Sequence, residues 1–169
     1  MNPTLDAWNK ADDATAMEAM LACCGARRWA SAMMALRPIH SVIELSEGAD
    51  EVWATMTEAD LVEAFACHPR IGERKAAQAP AKSAAWSRQE QSSVATAPKT
   101  VLAELAEQNA LYENQFGFAY IVCATGKTAD EMLAILKRRL TNNRTAELRE
   151  AAEQQRQITQ IRLGKWLVE

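Results

Sequence analysis

The stretch Cys67-His68-Pro69-Arg70-Ile71-Gly72-Glu73 sets one of only two histidines directly before a proline, where an apolar run with helical spacing stops. Histidine is the side chain whose ordinary pKa lies nearest neutrality, so an imidazole held in a fixed position is suited to giving or taking a proton. Proline fixes its own φ and drives the preceding residue out of the helical region. His68 is therefore expected on a rigid turn just past a helix end. A second reading is equally open on these residues alone: a cation seated at a helix C-terminus.

Two further places carry side chains capable of chemistry. Ser87-Arg88-Gln89-Glu90-Gln91 has the S-x-x-E spacing of a capping box, which predicts a helix opening at Ser87 and accounts for both residues without any function. The N-terminus of such a helix is also a ready site for an anionic or carbonyl-bearing ligand. Arg162 is spaced to share a helical face with Ile158 and Ile161. It is either a snorkelling surface side chain or a buried guanidinium whose fork suits a carboxylate.

The segment Phe116-Gly117-Phe118-Ala119-Tyr120-Ile121-Val122-Cys123-Ala124 is aromatic and β-branched, lacks helical periodicity and is punctuated by Gly117 and Gly126. It reads as an extended buried segment near 117–125. A lone extended segment leaves backbone N–H and C=O groups in need of partners. Either a ligand or surrounding side chains can supply them.

Helices must position these residues. Alanine is abundant and apolar residues recur at three and four, which predicts an all-α bundle of about eight helices. Helices are expected from Thr15 to Cys23, from Arg28 to Leu36, from Gly48 to Met56, and from Thr57 to the His-Pro pair, with Thr57 as the cap. An irregular loop is expected over 71–85, long enough to act as a lid. Helix is expected again from Ser87 and from Pro98 to about Gln115. The capping box Thr128-Ala129-Asp130-Glu131 opens another. A last one runs from about Thr145 to Leu167, with Leu148, Ala151, Gln155, Ile158 and Leu163 in its periodic stripe.

The bulk numbers bound the rest. A chain of 169 residues, 49% hydrophobic and 24% charged, suits one domain spanning 1–169. A net charge of −3 with interspersed signs argues against a nucleic-acid binder and against a polybasic membrane anchor. Cys23, Cys24, Cys67 and Cys123 form no C-x-x-C, as suits a reduced chain. A zinc site from His40, Cys67 and His68 fits no usual ligand spacing. The N-terminus lacks a signal-peptide pattern and Trp166-Leu167-Val168-Glu169 is not a peroxisomal address. The cytoplasm is the expected location.

The ordered series HPRIGE, S-x-x-E-Q, FGFAYIVCATG and ITQIRL resembles the 2-oxo-4-hydroxy-4-carboxy-5-ureidoimidazoline (OHCU) decarboxylase family over nearly the whole chain. The resemblance implies an all-helical enzyme of urate degradation that needs no cofactor and no metal. It would release CO2 from OHCU to give (S)-allantoin, and relatives are commonly dimers. It also implies that His68 and Glu90 are catalytic. Pro69, Ser87, Gln91, Tyr120, Ile121, Val122, Cys123, Ala124 and Arg162 would bind the substrate. Against this stand a hydrolase acting on a related ring, usually built on a β-rich fold, and a non-catalytic helical interaction module, which should expose a large apolar patch.

Overall fold

A computed structural model of the chain describes residues 2–72 and 80–169. Among them, nine α-helices and one 3-10 helix account for all regular structure, and no strand occurs. The chain divides into two compact units, Met1–Ala64 with Arg156–Glu169, and Phe65–Gln155.

The first unit holds α1 (Pro3–Lys10), α2 (Asp13–Cys23), α3 (Arg27–Ala35), α4 (Val42–Ala54), most of α5 (Glu58–Ala66) and the end of α9 (Arg144–Trp166). Helix α1 was not anticipated. Its signals are local: the Asn2 side chain accepts from the Leu5 N–H and Pro3 occupies the first turn. With only Leu5 and Trp8 buried, it presents almost no apolar stripe. Helix α4 begins six residues before the expected Gly48, because Ser41 accepts from the Glu44 N–H at 3.0 Å and caps it there. Tryptophans fill this core. Trp8 meets Trp166 edge-on at 6.1 Å, and the Trp8 and Trp29 indole N–H groups donate to the Ala16 and Ala49 carbonyls.

Helix α5 opens as expected at Thr57. The Thr57 N–H and hydroxyl both donate to Asp60 Oδ2 at 2.8 Å, a reciprocal cap, and Arg28 reaches the same oxygen at 2.9 Å.

The second unit holds the end of α5, α6 (Ala81–Glu90), the 3-10 helix Ser92–Thr96, α7 (Lys99–Phe116), α8 (Ala129–Arg139) and α9 up to Gln155. Here the expected loop over 71–85 needs correction: helix resumes at Ala81, behind Pro80. Residues 73–79 of that loop lie outside the described residues. The alanines of α6 favour helix but its residues form no apolar stripe, so periodicity could not reveal it.

Helix α7 ends at Gly117, whose φ of +81° lies in the left-handed region that glycine adopts without strain. The chain then runs without helix or strand through 118–124, buried at every position but Ala119, before the Thr128 cap opens α8. Phe65, Tyr112, Phe116, Phe118 and Tyr120 form one aromatic cluster, with Phe65 to Phe118 at 5.5 Å and Tyr112 to Tyr120 at 5.4 Å. It packs the end of α5 against the extended segment.

Candidate active site

His68 stands just past α5. Its N–H donates to the Phe65 carbonyl at 3.1 Å, and buried Pro69 follows. The rigid placement expected of the His-Pro pair is therefore present. His68 Nε2 lies 2.7 Å from Oε1 of Gln155, a fully buried residue of α9. Gln155 was visible in the sequence only as a member of the α9 stripe. The available signal was a glutamine interrupting alanine and isoleucine on a buried face.

The turn after Pro69 closes at Gly72, whose φ of +93° again favours glycine. The Gly72 N–H donates to Gln91 Oε1 at 3.2 Å, so the turn of the HPRIG motif is tied to the end of α6. Gln91 caps α6, and Glu90 is its last residue. Ser87 is 2% exposed inside the helix. The capping-box reading of Ser87 is thus overturned: Ser87 lies six residues into α6 and Glu90 stands at its C-terminal end, so no helix opens at Ser87. Spaced three apart, the two residues still share one face. A cavity of about 340 Å3 opens beside this end, lined by Gly72, Arg88, Gln91 and Val94. A larger one of about 540 Å3, lined by Arg70, Asn109, Glu113 and Asn114 among others, includes none of the residues expected in the site.

At the buried segment, where the sequence left two readings, surrounding side chains supply several backbone partners. At Ile121 and Cys123 the backbone is tied by side chains. Arg139 Nη1 donates to the Ile121 carbonyl, the Cys123 N–H donates to Gln154 Oε1 at 2.9 Å, and Lys127 Nζ donates to the Cys123 carbonyl at 2.7 Å. The Val122 N–H and C=O find no hydrogen-bond partner among the described residues. Tyr120, Ile121, Val122, Cys123 and Ala124 are all 2–5% exposed.

Behind the tied backbone sits a buried ionic cluster. Arg139 and Glu147, each fully buried, bond at 2.7 Å through Nε and Oε1, and the Tyr112 hydroxyl donates to the same carboxylate. Asn142 adds a bond to Glu147 at 3.0 Å. Burial would lower the Arg139 pKa, but the Glu147 carboxylate and the neighbouring tyrosines more than reverse this. Burial also raises the Tyr112 and Tyr120 pKa values, so both hydroxyls stay protonated and donate, Tyr120 to the Met132 carbonyl at 2.9 Å.

Arg162 is 2% exposed in α9, within the first unit. Of its two sequence readings, the snorkelling one is excluded. Gln155, Thr159 and Arg162, all buried, recur at the spacing of one face of α9. Among the described residues no cluster of three His, Cys, Asp or Glu side chains is arranged to hold a metal ion.

Fold and side chains together define an all-helical protein with an imidazole held by a buried amide and an extended peptide tied by side chains. The chain belongs to the OHCU decarboxylase family, whose model matches residues 9–164. It is similar to the uric acid degradation bifunctional protein TTL of Arabidopsis thaliana, with 38% identity over 85% of this chain and 44% of that protein. It thus spans less than half of that relative. It is also similar to the 2-oxo-4-hydroxy-4-carboxy-5-ureidoimidazoline decarboxylase of Amia calva, with 26% identity over 79% of this chain and 77% of that one. A crystal structure of an OHCU decarboxylase in the presence of (S)-allantoin shares the fold at a TM-score of 0.78 and 34% identity, covering 90% of this chain and 99% of that one.

Proposed function

We propose that this chain decarboxylates OHCU to (S)-allantoin and CO2 in urate degradation, acting in the cytoplasm as one functional domain. The observation that carries this reading is the family match over 9–164, which includes every residue of the candidate site.

The chemistry asks three things of the protein. The scissile carboxylate must be held out of the ring plane. When the C–C bond breaks, its electron pair passes to the ring carbon and into the neighbouring carbonyl, whose oxygen gains charge. One proton must then reach that carbon from one face. His68 and Glu90 are the pair proposed to hold the carboxylate and deliver the proton. The unpartnered Val122 N–H supports a role in stabilising the developing enolate oxygen. One such donor is worth about 3–4 kcal/mol in comparable sites.

Pro69 and Ser87 would line the ligand, and Gln91 would hold the turn that carries His68. Arg162 is assigned to the ureido arm or the ring carbonyl. Placed on the scissile carboxylate, it would stabilise the ground state as much as the transition state and would not speed the step.

The test is to generate OHCU from urate in situ, add the purified protein, and follow both the decay of the intermediate and the circular dichroism of the product. Faster decay with dextral purity is expected, that is, a single enantiomer of allantoin. Decay at the spontaneous rate with racemic product refutes the reading.

A further inference from the structure

We propose that Gln155 is a positioning residue that fixes the tautomer of His68, placing the ring proton on Nε2 and the basic lone pair on Nδ1. This rests on the reading of His68 as the proton carrier.

The geometry is specific. A glutamine Oε1 can only accept a hydrogen bond, so an imidazole nitrogen 2.7 Å from it must donate. Gln155 is fully buried, between Ala151 and Ile158 on the stripe of α9. An amide buried in such a stripe costs stability unless it is hydrogen-bonded. The imidazole supplies that bond. On the other side of the ring, the turn formed by the Phe65 carbonyl and Pro69 fixes the backbone from which His68 projects. Ring and amide are thus held from two separate elements.

The amide's neutrality matters. A carboxylate opposite the ring would orient it and also favour its protonated form. Gln155 orients the ring without adding a charge. With Gln155 orienting the ring at this nitrogen, Glu90 is left for the substrate.

The chain has only two histidines, so 15N-histidine labelling, with His40→Gln as the assignment control, reports His68 directly. The pH is raised until the ring shifts stop changing and the ring is neutral. A pyrrole-type Nε2 carrying a slowly exchanging proton is expected, with a pyridine-type Nδ1. A neutral ring protonated on Nδ1, or an Nε2 proton exchanging as fast as that of free imidazole, overturns the proposal. This readout needs no substrate, so it separates failure of this inference from failure of the decarboxylase reading.

In turnover, Gln155→Leu should lower kcat by about tenfold to a hundredfold, the range for partners that orient a functional imidazole, with KM nearly unchanged. Gln155→Glu, which keeps an acceptor at Nε2, should recover more of kcat than leucine does. A raised KM with unchanged kcat, or equal losses in both variants, counts against the proposal.

Discussion

Replacing His68 by alanine is expected to slow OHCU turnover by about 10²–10⁴-fold, the usual contribution of a positioned acid or base. The far-UV spectrum should be unchanged, because the Phe65 carbonyl bond and Pro69 hold the backbone without the ring. A variant that keeps both wild-type rate and product handedness would remove His68 from the mechanism. This residue was legible because a histidine before a proline leaves few conformations open. Gln155 was not, since a glutamine on a helix stripe looks like one more member of the face until its partner is known. Ser87 misled for a physical reason. The S-x-x-E spacing is satisfied equally by a helix start and by two residues on one face near a helix end, and only the position of Pro80 and Ala81 decides between them.

At the scale of elements, the extended segment depends on the buried ion pair behind it. Arg139→Met strands the Glu147 carboxylate, fully buried, without its cation. Losing one partner of such a pair costs about 3–5 kcal/mol, which urea unfolding monitored by tryptophan fluorescence measures. Replacing both members with apolar residues should recover much of that loss, and no recovery would point to Arg139 acting mainly through the Ile121 carbonyl. Gly117→Ala meets no atom within 4 Å but must adopt a φ of +81°. A loss of about 1 kcal/mol is expected from the left-handed backbone alone.

Helix α5, which carries the chain to His68, has its own pH signature. Hydrogen bonds from Thr57, and then Arg28, hold the Asp60 pKa below its ordinary 3.8. A carboxylate with a lowered folded pKa stabilises the fold above its unfolded value and loses that contribution as pH falls through the folded one. The stability gap between wild type and Asp60→Asn should therefore shrink below pH 3.8. A gap that is constant with pH would mean that Asp60 serves through shape alone. The Thr57 cap was legible in the sequence; the bond from Thr57 to Asp60 was not.

Across the whole molecule, the helical class and most element positions followed from apolar spacing, and the extended segment from the loss of that spacing. Helices α1 and α6 escaped because both are poor in apolar stripe: one is recognised by its cap, and the other is built from alanine and serine. Of the candidate site, the HPRIG turn and the buried segment could be read directly. The side chains that hold them carry no motif, and Gln154, Gln155 and Arg139 come from distant positions. Family resemblance implies a reaction without a metal. Dialysis against a chelator is expected to leave turnover unchanged, and a loss restored by one divalent ion would overturn that expectation. No helix among the described residues is long and apolar enough to cross a membrane.

The tethers at Ile121 and Cys123 have one more consequence. They arise from Arg139, Gln154 and Lys127, three residues in three parts of the chain, and they grip neighbouring links of the same short peptide. Sliding that peptide by a single residue would turn every gripped group away from its holder and break all three at once. If OHCU meets this peptide as proposed, it meets a template set in advance. Discrimination among look-alike rings would come from rigidity, with misfits refused entry instead of being accommodated poorly.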